Sequence, residues 1–507
     1  MNRQAYKGSI TVFLSISCIV FLALICAAVE SARIQGAKAQ AANIMGMGNF
    51  SLLGEFETKL LERYNIFALD GAYGSGGFKT RKIEDRLKNF LTDNADPKKN
   101  CLAELCFDPW HLELVNSKLD AYALLTDDDG EPFYQQAVAY MKTNLGAIAL
   151  DKLLEYAEDA DLIKTRQKEY EEEQKANDSQ MSGLEDERQR KIETIESEAA
   201  SSDGETAVVP VEPQGNPLKE IAKLRKKSVL KIVTWDKKIS EKSLGTFLLP
   251  SRRRPRRGNL ELEEEHGGFV DDVLFREYLM MHFPNYLSKE SGAGLDYQLE
   301  YLLGGKKSDE GNLKYVVNRL LLIREGMNYL YCVQDPQMNG EAGGLALTLT
   351  GFLGIPALTS ATKHALLLAW AFGESLVDVR VLLDDGKVPI LKDGATWSLS
   401  LENLGRITEI LQEGAKNREK GCGYSVYLRI LLNLGSLTKQ KMRALDLIQT
   451  ELQTEEGYSE FKAENCIVAV RTSTSWSCHP VFTGLPGAVM GASAGDISIK
   501  HSGSIAY

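Results

Sequence analysis

The apolar run from Ile10 to Val29 constrains this chain more than any other feature of its sequence. The run holds no charged residue, no proline and no glycine. A helix needs about 20 apolar residues to cross the ~30 Å hydrocarbon core of a bilayer, and this run meets that length. The sequence therefore predicts a transmembrane helix over residues 10–30, preceded by a short cytoplasmic tail over residues 1–9.

The charges on the two flanks of the run predict its orientation. Arg3 and Lys7 precede the run without any acidic residue, whereas Glu30, Arg33 and Lys38 follow it. The excess of positive charge on the cytoplasmic side of membrane proteins favours a cytoplasmic N-terminus and an extracytoplasmic bulk. We therefore expect a single-pass protein of the cell membrane. A cleaved signal peptide is the alternative, although its apolar region would be shorter, about 7–15 residues.

The composition of the chain excludes some classes of protein. The 507 residues carry a formal net charge of −11, whereas nucleic-acid-binding proteins usually present a basic surface. Nucleic acid is therefore not expected as a partner. Eight cysteines are too few for a fold built on disulfides at this length, and Cys18 and Cys26 lie inside the apolar run.

The residues that follow the apolar run predict a helical stalk over residues 31–70. This stretch contains no proline and begins with many alanines and glutamines, which favour helix. Small residues let helices approach closely, so Gly36, Ala39 and Gly46 are candidate contacts with a partner helix. The alternative is that these residues only favour helix formation.

Residues 71–154 are expected to form an α/β part of the ectodomain. The glycine-rich stretch 71–77 lacks the Gly-Lys-Ser/Thr end of a phosphate-binding loop and is interpreted as a turn. Cys101 and Cys106 are spaced for a local disulfide or remain two free thiols. A zinc site would need a fourth ligand beside these cysteines and His111, and none is apparent. Neither a metal nor a cofactor is therefore expected.

The middle of the chain changes character at about residue 155. Residues 155–217 are dominated by charged side chains and glutamine, with few apolar positions. They predict a charged helical arm, either a solvated hairpin or a marginal coiled coil. Partial disorder is the alternative, because few residues are available to bury. Residues 201–217, at the end of this arm, have the composition of a linker.

The rest of the chain predicts a mainly helical ectodomain over residues 218–455 and a β-rich tail over residues 456–507. The strongest helical pattern spans residues 308–333, where Ser308 can cap the helix and apolar residues share one face. In the tail, Cys466 and Cys478 could form a disulfide across a hairpin. The expected fold is mainly α with a smaller β portion: a transmembrane helix, a helical stalk, a charged arm and a mixed C-terminal region.

The N-terminal part resembles the TadE/TadG-like proteins, which are membrane-anchored accessory proteins of Tad pilus systems. The shared features are Gly8 before the apolar run, Glu30 at its outer end and the alanine- and glutamine-rich stretch 35–42. One departure is Phe13, where a type IV pilin precursor carries glutamate, so processing by a prepilin peptidase is not expected. Later stretches resemble an uncharacterised membrane-anchored family of Gram-positive bacteria; these are residues 301–331, 364–380, 388–404 and 427–453.

No catalytic motif is apparent in the sequence. The six histidines fall in none of the metalloprotease, serine hydrolase or cysteine–histidine signatures. Together with the resemblance, this predicts a non-catalytic extracytoplasmic protein, an accessory or assembly component of a Tad-type pilus or related surface or secretion system. Its expected partners are the membrane and other membrane or pilus-assembly proteins. The alternative is a membrane-tethered ligand-binding or adhesin-like protein, and an extracytoplasmic enzyme is the least favoured reading.

Overall fold

The computed structural model describes residues 5–96, 108–201, 216–245, 248–263, 267–288, 294–412, 420–482 and 495–507. The fold is mainly α with a small antiparallel sheet, as the sequence predicts. The helices are α1 (Ala5–Leu53), α2 (Thr58–Tyr64), α3 (Thr80–Ala95), α4 (Asp127–Asn144), α5 (Ala147–Ser201), α6 (Pro217–Arg225), α7 (Val229–Val233), α8 (Phe269–His282), α9 (Gln298–Gly304), α10 (Asp309–Gln334), α11 (Pro336–Thr350), α12 (Pro356–Leu383), α13 (Ile407–Gln412), α14 (Tyr424–Leu434) and α15 (Leu437–Leu452). The strands are β1 (Leu69–Asp70), β2 (Leu112–Leu124), β3 (Cys466–Cys478) and β4 (Ile497–Ala506).

The chain forms two compact units. Unit 1 contains Met1–Gln136, Arg253–Glu265 and Leu452–Tyr507. Unit 2 contains Ala137–Arg252 and His266–Glu451. These units differ from the domains predicted from the sequence, because segments that are far apart along the chain pair in space. The predicted α/β part and the predicted β-rich tail both contribute strands to the sheet of unit 1.

The sheet of unit 1 is built around β3. Strand β2 pairs with one edge of β3, and β1 and β4 pair with the other edge, all antiparallel. In this register Trp476 lies opposite Leu114 of β2 and Ile499 of β4. The indole of Trp476 is fully buried. The alternation of buried and partly exposed residues toward the end of β3 is the pattern of a strand with one face on a core.

The core of unit 1 lies between this sheet, the second half of α1, and α3. Helix α1 contributes buried residues spaced three, four or seven apart, among them Ala37, Ala41 and Ile44. Helix α3 contributes Leu87 and Leu91. The two helices approach closely at Gly48, where a Cβ atom would lie 2.7 Å from a methyl carbon of Leu91. The predicted stalk is therefore part of a packed domain rather than a free-standing helix.

Unit 2 is a helical assembly in which α12 is buried along most of its length. Helix α10 packs along α12, and α5 packs against α8, α10, α12 and α14. The predicted helix over residues 308–333 is confirmed as α10. Its N-cap is Ser308, whose hydroxyl accepts a hydrogen bond from the Gly311 amide at 3.2 Å.

Helix α5 corrects the interpretation of the charged segment. It is a single helix of 55 residues that begins at Ala147, not a hairpin that begins near residue 155. Ala157, Ala160, Ile163 and Tyr170 are buried within unit 2. Alanine and tyrosine at these positions supply an inner face that a search for large aliphatic residues does not detect. Residues 202–215, which make up most of the predicted linker, lie outside the described residues.

Candidate functional site

The first half of α1 carries an apolar surface that no other described residue of unit 1 covers. Phe13 is 73% exposed and Phe21 is 69% exposed. Among the described residues, α1 is the one helix that is long and apolar enough to cross a membrane. The helix then continues without a break to Leu53, so its apolar half is joined directly to the half that packs on the sheet.

A buried ion pair lies immediately after the apolar run. The Arg33 guanidinium donates to the Glu30 carboxylate, with an Nη2–Oε1 distance of 2.6 Å, and the two residues are 7% and 2% exposed. The pair fixes two distant segments of unit 1 on the helix. Arg33 donates to the carbonyls of Trp110 and His479 at 2.9 and 2.6 Å, and the Phe482 amide donates to Glu30 at 3.0 Å.

The burial of Glu30 and Arg33 was not predicted from the sequence, where both residues were interpreted as charges flanking the apolar run and Glu30 also as part of the resemblance. The available signal was an acid and a base three residues apart, on one side of a helix. Such a pair is common on exposed helices and does not by itself indicate burial. The pair is buried because the chain near residues 110 and 479 folds back onto this turn of α1.

The three small residues predicted to contact a partner helix have different surroundings. Gly36 is covered by the chain itself, because a Cβ atom there would lie 2.1 Å from the Trp110 ring. Gly36 therefore accommodates Trp110, and its assignment to a partner helix is wrong. Ala39 is exposed, and nothing lies within 4 Å of a Cβ atom placed on Gly46. These two residues share a helix face with Phe50, which is 72% exposed. We call Ala39, Gly46 and Phe50 the outer face of α1.

The cysteines do not form the disulfide predicted for the tail. Cys466 and Cys478 are the first and last residues of β3, and both are buried free thiols. Twelve steps of about 3.3 Å separate them along one strand, so a bridge across a hairpin is wrong. Burial raises the pKa of the Cys466 thiol well above its ordinary value. Cys101 and Cys106 lie outside the described residues.

Unit 2 contains a buried network of charged side chains between α10, α12 and the segment after α12. Arg324 Nε lies 3.0 Å from Asp378 Oδ2, and Lys392 Nζ lies 2.6 Å from Asp378 Oδ1. Lys392 also pairs with Glu374, and the side chains of all four residues are fully buried. Burial would raise the pKa of Asp378, but Lys392 and Arg324 outweigh it and hold this pKa below its ordinary value. The four formal charges sum to zero.

The network holds the segment from Pro389 to Leu399 against the two helices. Arg324 Nη1 donates to the carbonyls of Pro389 and Ile390, each at 2.9 Å. The Glu374 carboxylate accepts from the amides of Ser398 and Leu399 at 3.0 and 2.8 Å. These bonds satisfy charged groups that would be costly to bury alone. The arrangement is that of a structural clamp, since its charged groups are directed at one another and at the backbone.

Among the described residues, no three histidine, cysteine, aspartate or glutamate side chains are grouped to hold a metal ion.

Comparison with known proteins identifies the family of the chain. No curated protein and no solved structure matches the chain. Residues 209–478, more than half of the chain, match a family of unknown function, DUF5702. The match begins after α5 and ends at the last residue of β3. The chain therefore belongs to the DUF5702 family.

Proposed function

We propose that this protein is a non-catalytic, membrane-anchored extracytoplasmic component that assembles with other membrane proteins through the outer face of α1. The system to which it belongs is a Tad-type pilus or a related surface or secretion system. The observation that carries the proposal is the continuity of α1 from an exposed apolar half into a half packed on the sheet. A force or displacement on the apolar half of α1 is transmitted directly to the half that packs on the sheet of unit 1.

The outer face of α1 supports association along the helix. On the opposite side of the helix, Ala41 and Met45 are buried in unit 1. The outer face instead presents a methyl group, a bare backbone and an exposed aromatic ring at positions 39, 46 and 50. Small residues allow close approach of a second helix, and an exposed phenylalanine adds apolar area to the contact. The resemblance to TadE/TadG-like proteins covers this region and supports the same role.

The test is photocrosslinking in the native membrane. We expect p-benzoylphenylalanine at Ala39 or Gly46 to give a discrete crosslinked product, because both positions face away from unit 1. The matched control is Lys88, which is exposed on α3 of the same unit but lies off the outer face. Products are separated by electrophoresis and identified by mass spectrometry.

The identity of the product decides between the possible roles. A pilus-assembly or secretion component captured from positions 39 and 46, but not from position 88, supports the proposal. Equal capture from all three positions, or no product from positions 39 and 46, contradicts assembly through this face.

A second candidate function is that of a membrane-tethered ligand-binding protein. One feature of unit 2 supports it, a basic cavity enclosed by five helices. This role and the assembly role involve different units of the chain and are separable by experiment.

A further inference from the structure

Five helices of unit 2 surround a cavity of about 610 Å³. They are α5, α9, α10, α14 and α15. Leu302, Ile323 and Leu431, all of low exposure, supply apolar parts of its wall. Sites for small molecules usually have volumes of about 300–1,000 Å³ and combine apolar walls with a few polar groups. The size of this cavity lies in that range, whereas its lining is more polar than that of most such sites.

The charged side chains that line the cavity are almost all basic. One acidic residue, Glu171, lies among them. This bias is opposite to that of the whole chain, whose formal net charge is −11. A local excess of positive charge attracts an anionic ligand. The basic residues at the cavity are Lys164, Lys168, Arg319, Lys439 and Arg443.

Three of these cations have no carboxylate partner within the described part of the chain. Lys164, Arg319 and Lys439 lie on α5, α10 and α15, and so converge from three helices. By contrast, Lys168 lies 3.9 Å from Glu172, and Arg443 donates to the Leu302 and Leu303 carbonyls, each at 2.7 Å. Arg319 lies over the Tyr315 ring at 5.9 Å, which leaves its hydrogen-bond donors free of a carboxylate. Cations that lack a carboxylate partner and line one cavity are available to an anionic ligand.

The partial burial of Arg443 also supports an anionic ligand, because an anion stabilises a desolvated guanidinium. Burial lowers the pKa of the Arg443 guanidinium, and the neighbouring Arg252 lowers it further. Gln440, which is 1% exposed, also lines the cavity. Its Nε2 donates to the Leu432 carbonyl at 2.7 Å, whereas its Oε1 has no hydrogen-bond partner in the described residues. This oxygen is enclosed by the protein itself, so Gln440 forms part of the cavity wall and does not select a hydroxyl group on the ligand.

We propose that this cavity binds a small organic phosphate. Convergence of lysine and arginine from three helices suits a group with several oxygens and close to two negative charges better than a single carboxylate. The apolar part of the wall, at Leu302, Ile323 and Leu431, covers the carbon skeleton of the ligand. The proposal rests on the second candidate function and is independent of the outer face of α1.

The test is isothermal titration calorimetry, in which glycerol 3-phosphate is added to the full chain in detergent. The unmodified chain should bind it, and glycerol at the same concentration should give no binding. The double variant Lys164→Gln/Arg319→Gln should weaken binding by at least about 10-fold, since two cations that contact the phosphate are removed. The control is Lys175→Gln, which neutralises an exposed lysine on the same helix α5 outside the cavity.

Lys164 and Arg319 are both exposed, so the double variant should keep its fold, which far-UV circular dichroism checks. Should that variant unfold, Lys439→Gln alone tests the same prediction from α15. Unchanged affinity in a folded cavity variant, absence of binding to the unmodified chain at millimolar ligand, or equal binding of glycerol would overturn the proposal. Binding only to phosphatidylglycerol vesicles, with equal affinity in all variants, would assign the anion preference to the membrane surface and also overturn it. None of these outcomes alters the crosslinking pattern of the outer face of α1.

Discussion

Replacement of Asp378 by Asn is expected to destabilise unit 2 by about 3–5 kcal/mol. Asp378 is the carboxylate that both Arg324 and Lys392 contact, and all three side chains are fully buried. The substitution keeps the shape of the side chain but leaves the network with an uncompensated positive charge. Removing one partner of a buried ion pair costs far more than the pair contributes when intact, because the remaining charge stays desolvated.

The measurement is hydrogen exchange of the amides in α10 and α12, which reports opening of this core without assuming two-state unfolding of the whole chain. The matched control is Glu409→Gln, which removes one partner of the exposed Arg406–Glu409 pair. Those side chains are 68% and 61% exposed, so its effect should stay below about 1 kcal/mol. If both variants change exchange to the same small extent, the buried network does not stabilise unit 2 as described.

Replacement of Glu30 by Gln is expected to have a similar effect on unit 1, about 3 kcal/mol or more. The buried Arg33 guanidinium would then have neutral acceptors but no carboxylate to balance its charge. The Phe482 amide would lose the carboxylate that accepts its hydrogen bond. Arg33, which holds the Trp110 and His479 carbonyls, would lose the charged partner that orients it. We expect faster exchange of the amides at the end of β3, where those segments reach the helix.

The control for this variant is Glu62→Gln in α2, also in unit 1. Glu62 pairs with Lys59 at 3.1 Å, but their side chains are 62% and 40% exposed, so little stability should be lost. If exchange at the end of β3 is no faster in Glu30→Gln than in Glu62→Gln, the Glu30–Arg33 pair does not hold the returning chain on α1 as described.

Local sequence patterns were sufficient to predict several elements of the fold. The length of the apolar run predicts the first half of α1, because a helix that crosses a bilayer needs an uninterrupted apolar segment of a certain length. Ser308 before a broad apolar face predicts the start of α10. The β-rich tail predicted over residues 456–507 contains β3 and β4. In each case the physical cause lies within a few turns or residues of the element itself.

Contacts between distant parts of the chain could not be predicted in the same way. The pairing of Leu114 with Trp476 builds the sheet, yet nothing near either residue specifies its partner. The same reason explains the error at Gly36, where Trp110 occupies the space expected for a second protein. Arginine and lysine usually lie on the surface of a protein, so the sequence does not indicate that Arg324 and Lys392 are buried. Only the fold shows that they form a neutral buried cluster with their carboxylate partners.

The central claim is that α1 crosses the membrane and places the packed units outside the cytoplasm. Its most direct measurement is labelling of engineered cysteines with a membrane-impermeant maleimide in intact cells, with the unmodified chain as background. Lys175→Cys, at an exposed position of α5, should react in intact cells, whereas Arg3→Cys in the short N-terminal tail should react only after permeabilisation. The opposite pattern, with position 3 labelled first and position 175 protected until lysis, would contradict the orientation and the proposed function together.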